Sequence, residues 1–89
     1  MQYQYPISLD WSTDEVVDVV NFFQCVEKAY EKGIDRQDFL AVYHRFKQVV
    51  PAKSEEKRLC GEFEKASGYS CYKAVKKAGE LKQGEKLKM

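Results

Sequence analysis

The chain is poor in the residues that usually carry chemistry. Its 89 residues include one histidine, His44, and three cysteines, Cys25, Cys60 and Cys71, with no paired spacing. An odd, scattered set does not make a disulfide framework; such thiols read as small hydrophobes in a reducing compartment. A structural zinc site needs four Cys or His ligands, usually with a pair two to four residues apart. Cys60 and Cys71 are eleven apart, and a four-ligand site would use every Cys and His in the chain. The five glycines are dispersed and no GxxxxGK stretch occurs, which leaves no phosphate cradle. No cofactor and no metal are expected. The longest apolar stretch, Val16 to Val26, is broken by Asp18, Asn21 and Gln24 and cannot span a bilayer. The N-terminal MQYQYPISLD has neither a basic n-region nor an apolar h-region. A cytoplasmic location, with no membrane partner, is the expectation.

What is present suits a small globule: 44% hydrophobic, 33% charged and 13% aromatic residues. Aromatics give a short chain bulky material for its core. The formal net charge is only +1, which supplies no global attraction to nucleic acid. It is unevenly spread, however. Residues 1–40 hold eight acidic and three basic side chains, a net of −5, and residues 41–89 hold twelve basic and six acidic, a net of +6. Such asymmetry can mark a basic segment that binds something, or only charged exposed faces.

Helical signals run through most of the chain. Ser12 with Glu15 makes a capping box, and Trp11 with Val16 a hydrophobic staple. Val16, Val19, Val20, Phe23, Val26 and Tyr30 then recur at helical spacing, widened by Phe22, Cys25 and Ala29. Gly33 suits the left-handed stop of this first helix. Asp35 caps a second, whose inner stripe is Phe39, Val42, Tyr43, Phe46 and Val49 or Val50, and which Pro51 ends. Ser54 is expected to cap a third carrying Leu59, Cys60, Phe63 and Ala66 inward, stopped by Gly68. Ser70 caps a fourth with Tyr72, Val75 and Ala78 toward the core.

The predicted fold is therefore all-α: four helices at about 13–32, 36–49, 55–67 and 71–79, with an extended aromatic arm carrying Tyr3 and Tyr5 laid across them. Residues 1–82 read as a single helical domain. Residues 83–89 are polar, contain Gly84 and read as a frayed tail.

Nothing in this pattern assembles an active site. The acidic pairs Asp14/Glu15, Asp35/Asp38 and Glu55/Glu56 all sit at helix starts, where the dipole explains them. Ser67 and Ser70 serve helix ends, and His44 lies beside the inner stripe of its helix, exposed or capping. The stretch Gly61–Ala78, helix–turn–basic helix, invites comparison with a DNA reader. Yet Glu64, four residues before Gly68, is bulky where two helices would cross closely. Lys73, Lys76 and Lys77 are point charges that suit phosphates better than base edges. A helical hairpin with a solvated basic face is the simpler reading.

Several segments carry a resemblance: QYPI, Trp11, FFQCVEKAYEKG from Phe22, YHRFKQVVPAKSEEK from Tyr43, and EFEKASGYSCYKAVKKA from Glu62. Over nearly its whole length the chain resembles uncharacterised protein family 0223, small cytosolic proteins of bacillus-type Gram-positive bacteria. The resemblance implies a compact all-helical domain and assigns no substrate, cofactor or catalytic residue.

The functional expectation is a small non-enzymatic protein-interaction or regulatory module with an unidentified protein partner. Tyr3, Tyr5 and the lysine face are its candidate contacts, because tyrosines are favoured at interfaces. The alternative is a weak, largely sequence-independent nucleic-acid binder using Lys73, Lys76 and Lys77, with salt-sensitive affinity. An enzyme using His44 comes third, and the oligomeric state is not readable.

Overall fold

The computed structural model describes residues 3–89; Met1 and Gln2, at the start of the expected arm, lie outside the described residues. Four helices follow in order: α1 (Thr13–Glu31), α2 (Arg36–Val49), α3 (Lys53–Ser67) and α4 (Cys71–Glu80). Two short strands, β1 (Ile34–Asp35) and β2 (Lys86–Leu87), pair antiparallel. The all-α expectation holds, with this one two-stranded addition.

Caps explain most boundaries. Ser12 accepts from the Glu15 amide while the Glu15 carboxylate accepts from the Ser12 amide, the reciprocal arrangement that satisfies two orphan donors at the start of α1. Asp35 accepts from the amides of Gln37 and Asp38 at the start of α2, and Ser70 from Lys73 at α4. Gly68 ends α3 with φ +81°. Gly33, at φ +97°, follows α1 and donates its amide to Lys28 O. An added Cβ there would also lie 3.3 Å from Lys86 Cδ, so this glycine admits the strand pair as well as the turn.

One cap differs. α3 begins at Lys53 with Ala52 at the capping position, and no side-chain hydrogen bond closes it. Ser54 is therefore inside the first turn and not the cap. Ala52 is still extended, with φ −76° and ψ 127°, and the helix starts at the next residue, so the boundary falls on a side chain that cannot accept a hydrogen bond.

All five phenylalanines are fully buried. Phe22 of α1 stacks on Phe46 of α2 with ring centroids 4.4 Å apart, and Phe23 of α1 stacks on Phe63 of α3 at 4.7 Å. With these rings filling the centre, α4 contributes small residues: its buried stripe is Cys71, Ala74 and Ala78. This corrects the expected stripe at Tyr72, while Ala78 is buried as expected and Val75 is half-buried against the core. A helix facing a centre already filled by phenylalanine packs with its smallest side chains inward, and Tyr72 is left 72% exposed.

The expectation of a frayed tail over 83–89 is also corrected. Leu87 is completely buried and pairs with Ile34. The Met89 amide donates to Ala29 O, the Arg36 amide donates to Glu85 O, and Lys77 Nζ donates to Lys88 O at 2.6 Å. One leucine and a few backbone bonds anchor a segment whose other side chains are mostly charged. The two-residue partner strand Ile34–Asp35 is too short to announce itself.

Candidate functional site

The aromatic arm is part of the packing. The Tyr5 ring stacks between Phe23 of α1 and Phe63 of α3, with centroids 6.0 and 6.1 Å away, and the Tyr3 ring meets Phe63 edge-on. Both phenols donate to one carboxylate: Tyr3 to Glu27 Oε2, and Tyr5 to Glu27 Oε1 at 2.7 Å. Burial, then the hydrogen bond and negative charge of Glu27, push Tyr5 up to about 12 and raise Tyr3 as well. Both rings are half-buried. Tyr3 and Tyr5 are thus committed to the crevice between α1 and α3, and the structure does not display them as a contact surface.

The basic face of α4 is placed as expected in one respect: Lys73, Lys76 and Lys77 are all exposed. Lys77 is spent on the tail carbonyl of Lys88. His44 is exposed on α2, with its ring 6.4 Å from that of Tyr43. Ser67 donates to Phe63 O and accepts from the Tyr69 amide, so the turn serines are occupied in ending α3 and starting α4.

Away from the arm, α2, α3 and α4 leave a groove of about 470 Å³. Its lining is mostly apolar, from Tyr43, Cys60, Tyr72 and Val75. Three exposed lysines also line it, Lys53 and Lys57 from α3 and Lys76 from α4. None of the three makes an ion pair among the described residues. The single acid in the lining, Glu56, is already engaged: it accepts from Tyr43 Oη at 3.0 Å and from Lys47 Nζ at 2.7 Å. Burial and then Glu56 push the Tyr43 phenol up to about 12, so it is protonated and donating across the working range. The groove therefore presents apolar surface with uncompensated positive charge.

The buried thiol behind the groove, Cys71, is not poised for chemistry. Cys71 lies directly behind Cys60, and the contact of its thiol with Cys60, followed by burial, raises the Cys71 pKa. Burial likewise raises Cys25. A thiol held protonated is a weak nucleophile and a weak metal ligand. Among the described residues no three His, Cys, Asp or Glu side chains gather as a metal site. Among the same residues no helix is long and apolar enough to cross a membrane.

Of the groove's lining only Lys76 is a contact candidate in the sequence; Tyr43 and Cys60 read there as inner-stripe residues, and Tyr72 and Val75 as core-facing. The available signal was the small-residue set Cys71, Ala74 and Ala78, which competes with Tyr72 for the inward position and fits better against a phenylalanine-rich centre.

Comparison with known proteins gives a consistent answer. Residues 2–87 match the model of the family described as "Uncharacterised protein family (UPF0223)". The chain is 60% identical over 83 residues to UPF0223 protein OB1419 of Oceanobacillus iheyensis, covering 93% of this chain and 94% of that one. It is 58% identical over 89 residues to UPF0223 protein YktA of Bacillus subtilis, with both chains covered completely. A Staphylococcus aureus relative, UPF0223 protein SAB0963, is 50% identical over 88 residues, 99% of this chain and 97% of that one. These names specify no activity, substrate or partner. With the match running from the arm through the buried Leu87, the chain belongs to the uncharacterised bacterial family UPF0223.

Proposed function

We propose that this protein is a non-enzymatic interaction module of the bacterial cytoplasm, and that its docking surface is the groove between α2, α3 and α4. The observation that carries this reading is the charge balance of the groove: three exposed lysines border apolar surface, and the one carboxylate beside them is neutralised by Lys47. The complementary occupant is an acidic, amphipathic segment of a partner protein, with apolar side chains to cover Cys60, Tyr72 and Val75 and carboxylates to meet Lys53, Lys57 and Lys76. Apolar contact supplies the affinity in such a mode, and opposite charge supplies orientation and association rate. The helix-in-groove geometry asks for apolar anchors three and four residues apart on the entering segment.

The test uses a synthetic helical peptide with leucine and phenylalanine four residues apart and glutamate elsewhere, against a twin with lysine for glutamate. Amide NMR shifts should map the acidic peptide to Cys60, Tyr72, Val75 and Lys76, and binding should weaken with salt. Equal binding of the two peptides, or shifts that avoid the groove, overturns the reading. A single-stranded oligonucleotide run alongside checks the other use of the lysines. Shifts confined to Lys73 and Lys76, with no response to the acidic peptide, would transfer the function to nucleic-acid contact.

A further inference from the structure

The same molecule carries an exposed feature with the chemistry that this groove asks for. Between the arm and α1 the chain makes a tight turn at Ser8, Leu9, Asp10 and Trp11. The Trp11 amide donates to Ser8 O at 3.3 Å, and the Asp10 amide donates to Ser8 Oγ at 3.2 Å. Two hydrogen bonds to Ser8 thus close the turn, and Trp11 is packed against the core. At its tip Leu9 is 101% exposed, as open as in an extended chain, and the neighbouring Ile7 is 49% exposed. An isolated surface leucine is ordinary. This one sits on a hydrogen-bonded turn, near a second exposed aliphatic and two exposed carboxylates, Asp10 and Asp14. Neither carboxylate makes an ion pair among the described residues. A segment already folded into a turn has less conformational freedom to lose on binding than an open loop.

We propose that a second copy of this chain is a natural occupant of the groove: the Ile7–Asp10 turn of one copy enters the groove of another, with Leu9 against Tyr72 and Val75 and Asp10 and Asp14 facing Lys53, Lys57 and Lys76. The inference rests on the docking reading above and names the partner for it. Charge complementarity selects this occupant. The half of the sequence that holds the turn is net −5, and the half that lines the groove is net +6. The contact joins two different patches, so its rotation decides whether copies close into a ring or extend as a series. Either way, occupancy of the groove by another copy competes with any other acidic segment.

The experiment is sedimentation of the full chain from low micromolar to millimolar concentration at low salt. The native chain should show an average mass rising with concentration to at least twice that of the monomer, and reverting when salt is added. Leu9→Asp should stay monomeric, as should the turn variant Asp10→Lys/Asp14→Lys and the groove variant Lys53→Glu/Lys57→Glu/Lys76→Glu, each checked as folded by circular dichroism. Mixing the turn and groove variants should restore association, and adding Leu9→Asp to both of them should abolish that rescue. The last arm separates a seated leucine from bulk attraction between oppositely charged proteins. A native chain that remains monomeric throughout, or a Leu9→Asp chain that associates as the native does, overturns the inference. The acidic peptide distinguishes the two failures: if it still binds the groove of a monomeric chain, self-association alone is wrong, and if it does not, the docking reading falls too.

Discussion

The two flanks of α3 solve the same packing problem differently. Toward α1, the gap is closed by the chain's own arm: Tyr5 lies between Phe23 and Phe63, and Tyr3 and Tyr5 share Glu27. Toward α2 and α4, one tyrosine, Tyr43, donates to one carboxylate, Glu56, but among the described residues no segment covers the surface beyond it, and a groove remains. A short chain has few residues with which to fill both sides. The difference teaches that aromatic content alone does not mark an interface. The tyrosines of the arm complete the core, and the tyrosine that faces solvent, Tyr72, lies on the helix where small residues took the inward positions.

Removing the arm's rings is the strongest way to break this comparison. Replacing Tyr3 and Tyr5 together with Ala should destabilise the fold by about 2–3 kcal/mol, from lost apolar burial and lost aromatic pairing. For a domain of this size that corresponds to a fall in thermal midpoint of roughly 10–20 °C. Replacing them with Phe keeps the rings and removes only the bonds to Glu27, so the loss should be about 1 kcal/mol per bond or less. Thermal melts followed by circular dichroism measure both. A midpoint unchanged in the double alanine variant would return Tyr3 and Tyr5 to the role of exposed contacts.

How far the residues announced this arrangement depends on how local each signal is. The capping box at Ser12 and Glu15, the caps at Asp35 and Ser70 and the stops at Gly33 and Gly68 depend on neighbours within a few positions, and the caps mark three of the four helix starts. The β1–β2 pair joins Ile34 to Leu87 across most of the chain, and each strand is two residues long, below the length at which alternation can be read. The direction in which α4 faces was also not local. Tyr72–Val75–Ala78 and Cys71–Ala74–Ala78 are both helical stripes, and only the volume already taken by five buried phenylalanines chooses the smaller one. The groove follows from that choice, which is why Lys76 alone among its residues was legible as a candidate. Charge segregation between the two halves was visible from the start. What it faces is defined only by the groove that the folded helices form.

High pH offers a graded perturbation of both flanks. Tyr3, Tyr5 and Tyr43 all have folded-state pKa values raised above the ordinary value of 10, with Tyr5 and Tyr43 at about 12. The folded state therefore holds phenolic protons that the unfolded state releases first. Stability from these groups is fully present below pH 10 and falls as pH rises from 10 toward 12. Two of the three phenols belong to the arm. Tyr3→Phe/Tyr5→Phe should accordingly remove more of the alkaline loss than Tyr43→Phe does. Denaturant titrations at neutral pH and at pH 11 give the comparison, and equal pH dependence in the two variants would contradict it.

The smallest effect on stability should come from the open flank, and it is the most informative for function. Tyr72 is 72% exposed and makes no side-chain hydrogen bond among the described residues, so Tyr72→Ala should change stability by no more than about 0.5 kcal/mol. The same substitution removes a large apolar surface from the groove, and a buried tyrosine in a docking surface is the kind of residue on which affinity concentrates. Binding of the acidic peptide should therefore weaken by tenfold or more, about 1.4 kcal/mol, while the melt stays in place. The double alanine variant of the arm should show the reverse, a large shift in the melt and, at temperatures where it remains folded, near-native peptide binding. If Tyr72→Ala lowers the melting temperature as much as loss of the arm does, the groove is structural surface in the way the arm is, and the asymmetry between the two flanks of α3 carries no function.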